Sequence, residues 1–440
     1  MSNSTLVKQP PAKQARRALV AGSVGNFIEW YEFGIYGSFA TIISANFFTT
    51  AGATDFEALI KTYASFAIAF FFRPVGAWIF GRIGDRIGRR PTLIIVLLLM
   101  TGATTLIGVL PNYATLGIMA PILLTLVRIL QGLSAGGEFG GAVSLMTEFA
   151  PTGKRGIYGA WQSFTVALGL LAGAGVAALL SSAMSAKDLS DWGWRLPFLF
   201  ALPLGLVALY LRLKLEETPN FQRTVAAERN PGSAVVVVHP SKAETAKAIL
   251  LGIGRLMGWS AAGYTFLVVL PSYLQTSLNA TFQAALIATV LANAGFAASI
   301  IPSGMLSDRW GRRPVMLAGA VLIAVLALPL LKVLQDPTSS PWLMGAGVFL
   351  AGAIVGMLAG PGPAMLSEMF PTTVRYTGLG LAYSLSNAVF SGSAGLIITG
   401  LIASTGNKDI PAYYVMATCV VSVFALATLR GSAHKKALRD

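Results

Sequence analysis

The sequence is poor in the residues that build soluble active sites. Among 440 residues there is one cysteine, Cys419, and two histidines, His239 and His434. One cysteine forms no internal disulfide, and both histidines lie in polar, basic stretches, so no metal cluster of Cys and His can be assembled. Charge is scarce too. Asp, Glu, Lys and Arg make up 11% of the chain, against about 25% in soluble globular proteins. So little charge cannot cover a water-facing surface, which excludes a soluble enzyme, and 55% hydrophobic residues exclude a disordered chain. The sequence has no G-x-x-x-x-G-K-[ST] loop and no H-E-x-x-H motif, so it offers no basis for ATP-driven work, for zinc chemistry or for any cofactor. A cleavable leader is not expected: the first 17 residues are polar, with Lys8, Lys13, Arg16 and Arg17, and the apolar run behind them is too long for a leader's core.

Apolar sequence is what the chain has in abundance. Runs recur at 18–45, 60–81, 92–111, 117–147, 156–182, 196–213, 246–276, 282–306, 315–335, 341–366, 376–402 and 411–430. A membrane-spanning helix needs roughly 20 such residues, so the runs predict an all-α membrane protein of twelve transmembrane helices. Gly and Pro inside them are tolerated because neighbouring helices re-satisfy the freed backbone groups. The glycine-rich stretch Gly132 to Gly141 lies within one run, where close helix packing explains it better than phosphate binding.

Basic residues are distributed unevenly about these spans. With the N-terminus placed in the cytoplasm, 24 of the 32 Lys and Arg fall on the cytoplasmic side, Arg212 among them; five fall outside, and Arg73, Arg128 and Arg255 lie within the membrane. That bias places both termini in the cytoplasm. The net charge of +14 therefore reflects topology, and no nucleic-acid partner is expected. Three acids, Glu29, Glu32 and Glu138, also lie within the membrane. A charge in hydrocarbon costs at least ~2.5 kcal/mol, so these six groups are expected to pair and to line a polar cavity.

The chain also repeats. Asp85-Arg86-Ile87-Gly88-Arg89-Arg90-Pro91 returns 223 residues later as Asp308-Arg309-Trp310-Gly311-Arg312-Arg313-Pro314. Glu148 with Pro151 and Arg155 returns 220 residues later as Glu368 with Pro371 and Arg375. Two motifs with nearly one offset predict parallel six-helix halves, 18–213 and 246–430, joined by a charged cytoplasmic linker at 214–245. Short cytoplasmic tails lie at 1–17 and 431–440.

At these residues the sequence resembles the major facilitator superfamily, whose D-R-x-G-R-R loop follows the second and eighth spans. The stretch from Arg128 through Gln131-Gly132 resembles that superfamily's R-x-x-x-G motif, associated with proton coupling. Within it the chain is similar to the metabolite:proton symporters, which include proline/betaine, α-ketoglutarate, citrate and shikimate carriers. Gly25-Asn26-Phe27-Ile28-Glu29-Trp30-Tyr31-Glu32-Phe33, Phe72-Arg73-Pro74-Val75-Gly76 and Trp192-Gly193-Trp194-Arg195 carry that likeness. Leu215-Glu216-Glu217-Thr218-Pro219 and Pro411-Ala412-Tyr413-Tyr414 lean toward the proline/betaine branch. No heptads follow the last span, so osmotic control through a coiled coil is not expected. The resemblance implies the major facilitator fold and alternating access. It also implies proton-coupled import of a small carboxylate or zwitterion by a monomer in the lipid bilayer of a bacterial inner membrane.

Candidate residues follow. Glu29 and Glu32 stand at i and i+3 on one helix face, and with Arg128 and Glu138 they are the candidates for proton handling. The competing reading is a permanent salt bridge. Arg73, Arg128 and Arg255 can each grip a carboxylate with a two-pronged fork, although Arg255 is near enough to its helix start to snorkel. Tyr31, Tyr36, Gln162, Trp259, Asn293 and Asn387 complete the candidate solute site, since aromatic faces hold quaternary ammonium and buried amides need partners. Asp85, Arg89, Glu148 and Arg155 in the first half, and Asp308, Arg312, Glu368 and Arg375 in the second, are expected to gate the cytoplasmic end; anchoring to anionic lipid is the alternative for the arginines.

Three other functions fit the composition: a sugar porter, a drug/proton antiporter and a non-transporting receptor. Sugar porters usually carry a Gln-rich seventh span, and 250–264 contains no Gln. The antiporters' fifth-span motif is not evident in 156–182, and a receptor would need a signalling domain that neither tail supplies.

Overall fold

A computed structural model of the chain describes residues 12–49, 55–87, 89–148, 150–151, 153–214 and 240–429; among them the structure is helical, without a strand. Twelve helical passes make the bundle. In the first half, α1 comprises Ala12–Ser38 and Ala40–Phe47, α2 comprises Asp55–Phe71 and Arg73–Ile87, and α3 is Arg89–Val109. Next, α4 comprises Met119–Gly136 and Phe139–Glu148, α5 is Arg155–Ala183 and α6 is Leu196–Leu213. In the second half, α7 runs from Lys242–Tyr264 through a π turn, Thr265–Val269, into Leu270–Leu278. The next three are α8 (Phe282–Trp310), α9 (Arg312–Gln335) and α10 (Pro341–Ala359 and Gly362–Met369). The last are α11 (Thr372–Ser386, a π turn Asn387–Gly392, then Ala394–Thr405) and α12 (Ile410–Ala427).

Eleven passes are long and apolar enough to cross a membrane. The twelfth is α1, whose Glu29 and Glu32 lower its hydropathy. Several helices reach beyond the apolar runs that predict them. The helix of α1 already includes Ala12, six residues before its run, and Ala, Lys, Gln and Arg there are strong helix formers. At α7 the start moves to Lys242, where Ser241 and Glu244 close a reciprocal capping box. Between α8 and α9 the backbone turns at Gly311 with φ 99°, a conformation open to glycine and strained for other residues.

The repeat holds in three dimensions at the helix crossings. A Cβ on Gly132 of α4 would strike the carbonyl of Ala69 in α2, and one on Gly136 that of Arg73. In the second half a Cβ on Gly352 of α10 would strike the carbonyl of Ala292 in α8, and one on Gly356 would meet that of Phe296. The glycines are 220 apart and the carbonyls 223 apart, the same two offsets as the motifs. Bare glycines let the backbones touch, the packing that serves helices in lipid. Gly132→Ala is therefore expected to lower stability by about 1–3 kcal/mol, although Ala is the better helix former. Gly102→Ala on α3, which has nothing within 4 Å, should be neutral. Thermal inactivation midpoints of the two variants in detergent check this.

Leu213 and Lys242 flank the linker, so α6 ends and α7 begins at one end of the bundle, here called the linker end. The halves meet along α1–α7, α2–α11, α4–α10 and α5–α8.

Candidate functional site

One set of buried charges gathers in the first half. Glu29 of α1 pairs with Arg73 of α2 at 3.2 Å. The Arg73 guanidinium lies over the rings of Phe70 (4.1 Å) and Phe33 (4.6 Å), which holds a desolvated cation by its interaction with the π faces. Arg128 of α4 lies over Tyr36 at 4.1 Å and donates to Gln131 at 2.6 Å, which in turn donates to Thr104 of α3 at 2.6 Å. Its Nε and Nη2 have no hydrogen-bond partner among the described residues. Neither carboxylate oxygen of Glu32 has a partner at full hydrogen-bond geometry among the described residues; its buried side chain lies beside the Thr104 hydroxyl and in the field of Glu29 and Arg128. Toward the linker end, Glu138 sits where α4 breaks and forms a buried ion pair with Arg212 of α6. Glu29 feels this pair as well. Gly25 makes room for it, because a Cβ there would overlap both Arg212 and Glu138.

Three carboxylates and three guanidiniums thus form a ladder from the middle of the bundle toward the linker end. The sequence places Arg212 with the cytoplasmic charges and Arg255 with the buried ones; in the structure both are buried, and they differ in partners. Arg212 completes the ladder. Arg255 donates to the Ala425 carbonyl (3.3 Å) and the Thr428 hydroxyl (2.9 Å), tying α7 to the end of α12, away from the other candidates. Along the repeat, the second half has Phe296, Val348, Ala351 and Leu358 where the first has Arg73, Arg128, Gln131 and Glu138. The ladder is a property of one half.

The remaining candidates divide. Tyr31 donates to the Pro197 carbonyl at 3.3 Å, and Tyr36 shares a hydrogen bond with Ser65 at 2.7 Å; both are buried in the first half. Gln162 joins Asn26 and Thr165 in a polar knot that ties α1 to α5. Asn293 donates to Leu267 in the π turn of α7, supplying a partner for a carbonyl that the widened turn displaces. Trp259 and Asn387 line a cavity between the halves, together with Trp30, Tyr264 and Tyr383. Its volume is about 30 Å³, about that of one or two water molecules, and its walls are aromatic and neutral polar.

Both ends of the bundle are closed around this cavity. At the linker end, Asp308 of α8 accepts from the backbone N–H groups of Gly156 (2.7 Å) and Ile157 (3.0 Å) at the start of α5. A carboxylate at a helix N-terminus is well placed for those donors. Arg312 holds Asp308 at 2.7 Å and Glu368 at 3.0 Å, and Arg155 reaches Glu368 at 3.5 Å. Arg375 donates to the carbonyls of Ser367 and Phe370. The side chains of Asp85, Arg89 and Glu148 lie outside the described residues. At the opposite end, Tyr63 of α2 shares a hydrogen bond with Ser272 of α7 at 2.7 Å, and Thr41 donates to Gln275 at 3.2 Å. A polar pocket of about 490 Å³ lies against Thr41 and Gln275.

Sequence reasoning missed Arg212, Gln131 and the Tyr63–Ser272 closure. Gln131 had a signal, as an amide within an apolar run. Arg212 stood two residues from Lys214 and read as part of the linker. Nothing in a lone Tyr and a lone Ser 209 residues apart announces their contact.

The family described as "Sugar (and other) transporter" matches residues 18–238, and that described as "Major Facilitator Superfamily" matches 248–439. A proline/betaine transporter of Escherichia coli K12 is 36% identical over 96% of this chain and 84% of its own length. A glycine betaine/proline/ectoine/pipecolic acid transporter of Dickeya dadantii is 34% identical with the same coverage. An ectoine/proline transporter of Corynebacterium glutamicum is 33% identical over 97% of this chain and 86% of its own. Among solved structures, a D-xylose-proton symporter superposes with a TM-score of 0.74 at 19% identity, covering 97% of this chain and all of that one. That likeness concerns the fold.

Proposed function

The chain belongs to the major facilitator superfamily, and from that premise we propose that it imports a small zwitterion of the proline/betaine type together with a proton, by alternating access in a bacterial inner membrane. The observation that carries this reading is the ladder: three carboxylates and three guanidiniums buried in one half, with Glu32 outside the ion pairs found among the described residues, beside an aromatic cavity. An ionised Glu32 would be a buried charge without an ion-pair partner, at a cost of several kcal/mol. The protonated acid carries no such penalty. Glu32 is therefore the proton site, and Glu29, held by Arg73, is its relay toward Glu138 and the linker end. Loss of the proton leaves Glu32 free to pair with Arg128, whose Nε and Nη2 lack hydrogen-bond partners among the described residues.

The solute class follows from charge balance. With Glu32 protonated, three guanidiniums face two ionised carboxylates, so the ladder carries one surplus positive charge, and Arg255 is engaged on α12. A di- or tricarboxylate would bring more negative charge than that surplus balances. A zwitterion meets no such deficit, and its cationic end suits the aromatic walls. The relatives named for proline, betaine and ectoine transport support the same class.

The linker end faces the cytoplasm, as the surplus of Lys and Arg on that side requires, and one chain contains the complete pathway, so the unit of function is the monomer. Asp308, Arg312, Glu368 and Arg155 close the cytoplasmic gate; Tyr63 and Ser272 close the outer one. Competition against labelled glycine betaine in proteoliposomes tests the solute class. Proline and other zwitterions should displace the label, and citrate, α-ketoglutarate and xylose should not. Displacement by a dicarboxylate alone would overturn it.

A further inference from the structure

We propose that the Tyr264 hydroxyl is the hydrogen-bond donor to the solute's carboxylate, with the rings of Trp259 and Tyr383 around its cationic end. The proposal rests on the zwitterion reading above and assigns the two ends of the solute to separate parts of the cavity.

Tyr264 is 5% exposed and lines the cavity between the halves. Its hydroxyl is buried and has no hydrogen-bond partner among the described residues. Other buried tyrosines are satisfied: Tyr31 by Pro197, Tyr36 by Ser65, Tyr63 by Ser272 and Tyr273 by Lys408. A phenol left without a partner costs free energy that packing alone does not repay. A group that enters the cavity and accepts from this hydroxyl removes that cost.

The neighbours of Tyr264 indicate which ligand group it meets. Its ring packs edge-on against Phe70 at 5.2 Å and against Trp30 at 6.1 Å, and Arg73 lies over Phe70 on the same cluster. The same guanidinium lies 5.6 Å from the centroid of the Trp30 ring against which Tyr264 packs. A phenol donates to an anion, and the adjacent guanidinium favours negative charge at that spot. The positive end of the solute then falls away from Arg73, toward Trp259 and Tyr383. Trp259 and Tyr383 stand 6.1 Å apart at a tilt of 54°, and π faces attract quaternary and secondary ammonium groups.

The arrangement also couples solute to proton. A carboxylate held by Tyr264 competes with Glu29 for Arg73 and loosens the 3.2 Å pair. Tyr264 is the last residue before the π turn Thr265–Val269, so a pull on its hydroxyl acts where the backbone of α7 departs from regular α-helical bonding.

The test compares Tyr264→Phe, which removes one oxygen and keeps the ring, with the unaltered protein. Glycine betaine and choline each compete against labelled glycine betaine in exchange across proteoliposomes. The two share the trimethylammonium group and differ in the carboxylate. The preference for glycine betaine over choline should fall about tenfold in Tyr264→Phe. In Trp259→Leu both compounds should weaken together and the preference should persist. An unchanged preference in Tyr264→Phe, with exchange intact, overturns the assignment. A parent protein that exchanges none of the zwitterions contradicts the underlying reading instead, and the assignment with it.

Discussion

Glu32→Gln is expected to end accumulation of solute driven by a pH gradient while labelled exchange of the same solute continues. The amide has nearly the shape of the protonated acid and cannot release a proton. The variant is therefore fixed in the state in which Glu32 is neutral and Arg128 remains on Gln131 and the Tyr36 ring. Exchange requires only that the loaded carrier reorient. Net accumulation requires the empty carrier to return after the proton has left. The same substitution at Glu29 acts differently, because Glu29 has a partner: removing its charge leaves Arg73 buried without an anion and should impair exchange too. Loss of exchange in Glu32→Gln, with normal amounts of folded protein, would move Glu32 from proton handling to solute binding or structure.

Arg212→Met should be the most destabilising single change in the charge ladder, by about 3–5 kcal/mol, because it strands Glu138 as an uncompensated buried charge. Arg212 and Glu138 are both nearly inaccessible, 2% and 4% exposed in their side chains, so water cannot substitute for the lost partner. Replacing both, as Glu138→Gln with Arg212→Met, should recover most of the loss, since a buried ion pair adds little over well-packed neutral groups. The thermal inactivation midpoint in detergent reads both effects. If the single variant is as stable as the parent, the pair is accessible to water and the ladder ends at Glu29. A double variant that folds but no longer accumulates solute would place Glu138 on the proton route.

Most of the fold is legible in the sequence because the bilayer imposes it. Twelve apolar runs have few alternatives to twelve helices, and the paired offsets of 220 and 223 that relate the loop motifs also relate Gly132 to Gly352 and Ala69 to Ala292 at the helix crossings. The candidate site is legible where a residue is anomalous for its surroundings. Glu29, Glu32, Arg73, Arg128 and Glu138 stand out because ionised groups are costly in hydrocarbon. Position along a span is a weaker guide. Arg212 and Arg255 both lie near span ends, and only the rotation of each helix determines that Arg212 turns to Glu138 and Arg255 to the end of α12. Satisfaction of hydrogen bonds is not legible at all: Tyr264 and Tyr36 look alike in sequence, and the structure gives a partner to one of them. At the linker-end gate the D-R-x-G-R-R loop marks Asp308 as special. Its acceptance from two backbone N–H groups at the start of α5 depends on how the halves dock.

The central claim is that a small zwitterion and a proton move together. Purified protein in liposomes with a pH-sensitive dye inside, and no other energy source, tests it most directly when glycine betaine or proline is added outside. Acidification of the lumen should depend on the solute and be absent in Glu32→Gln. A lumen that holds its pH while labelled solute still exchanges would mean that the carrier works without protons, and would contradict the role given to Glu32.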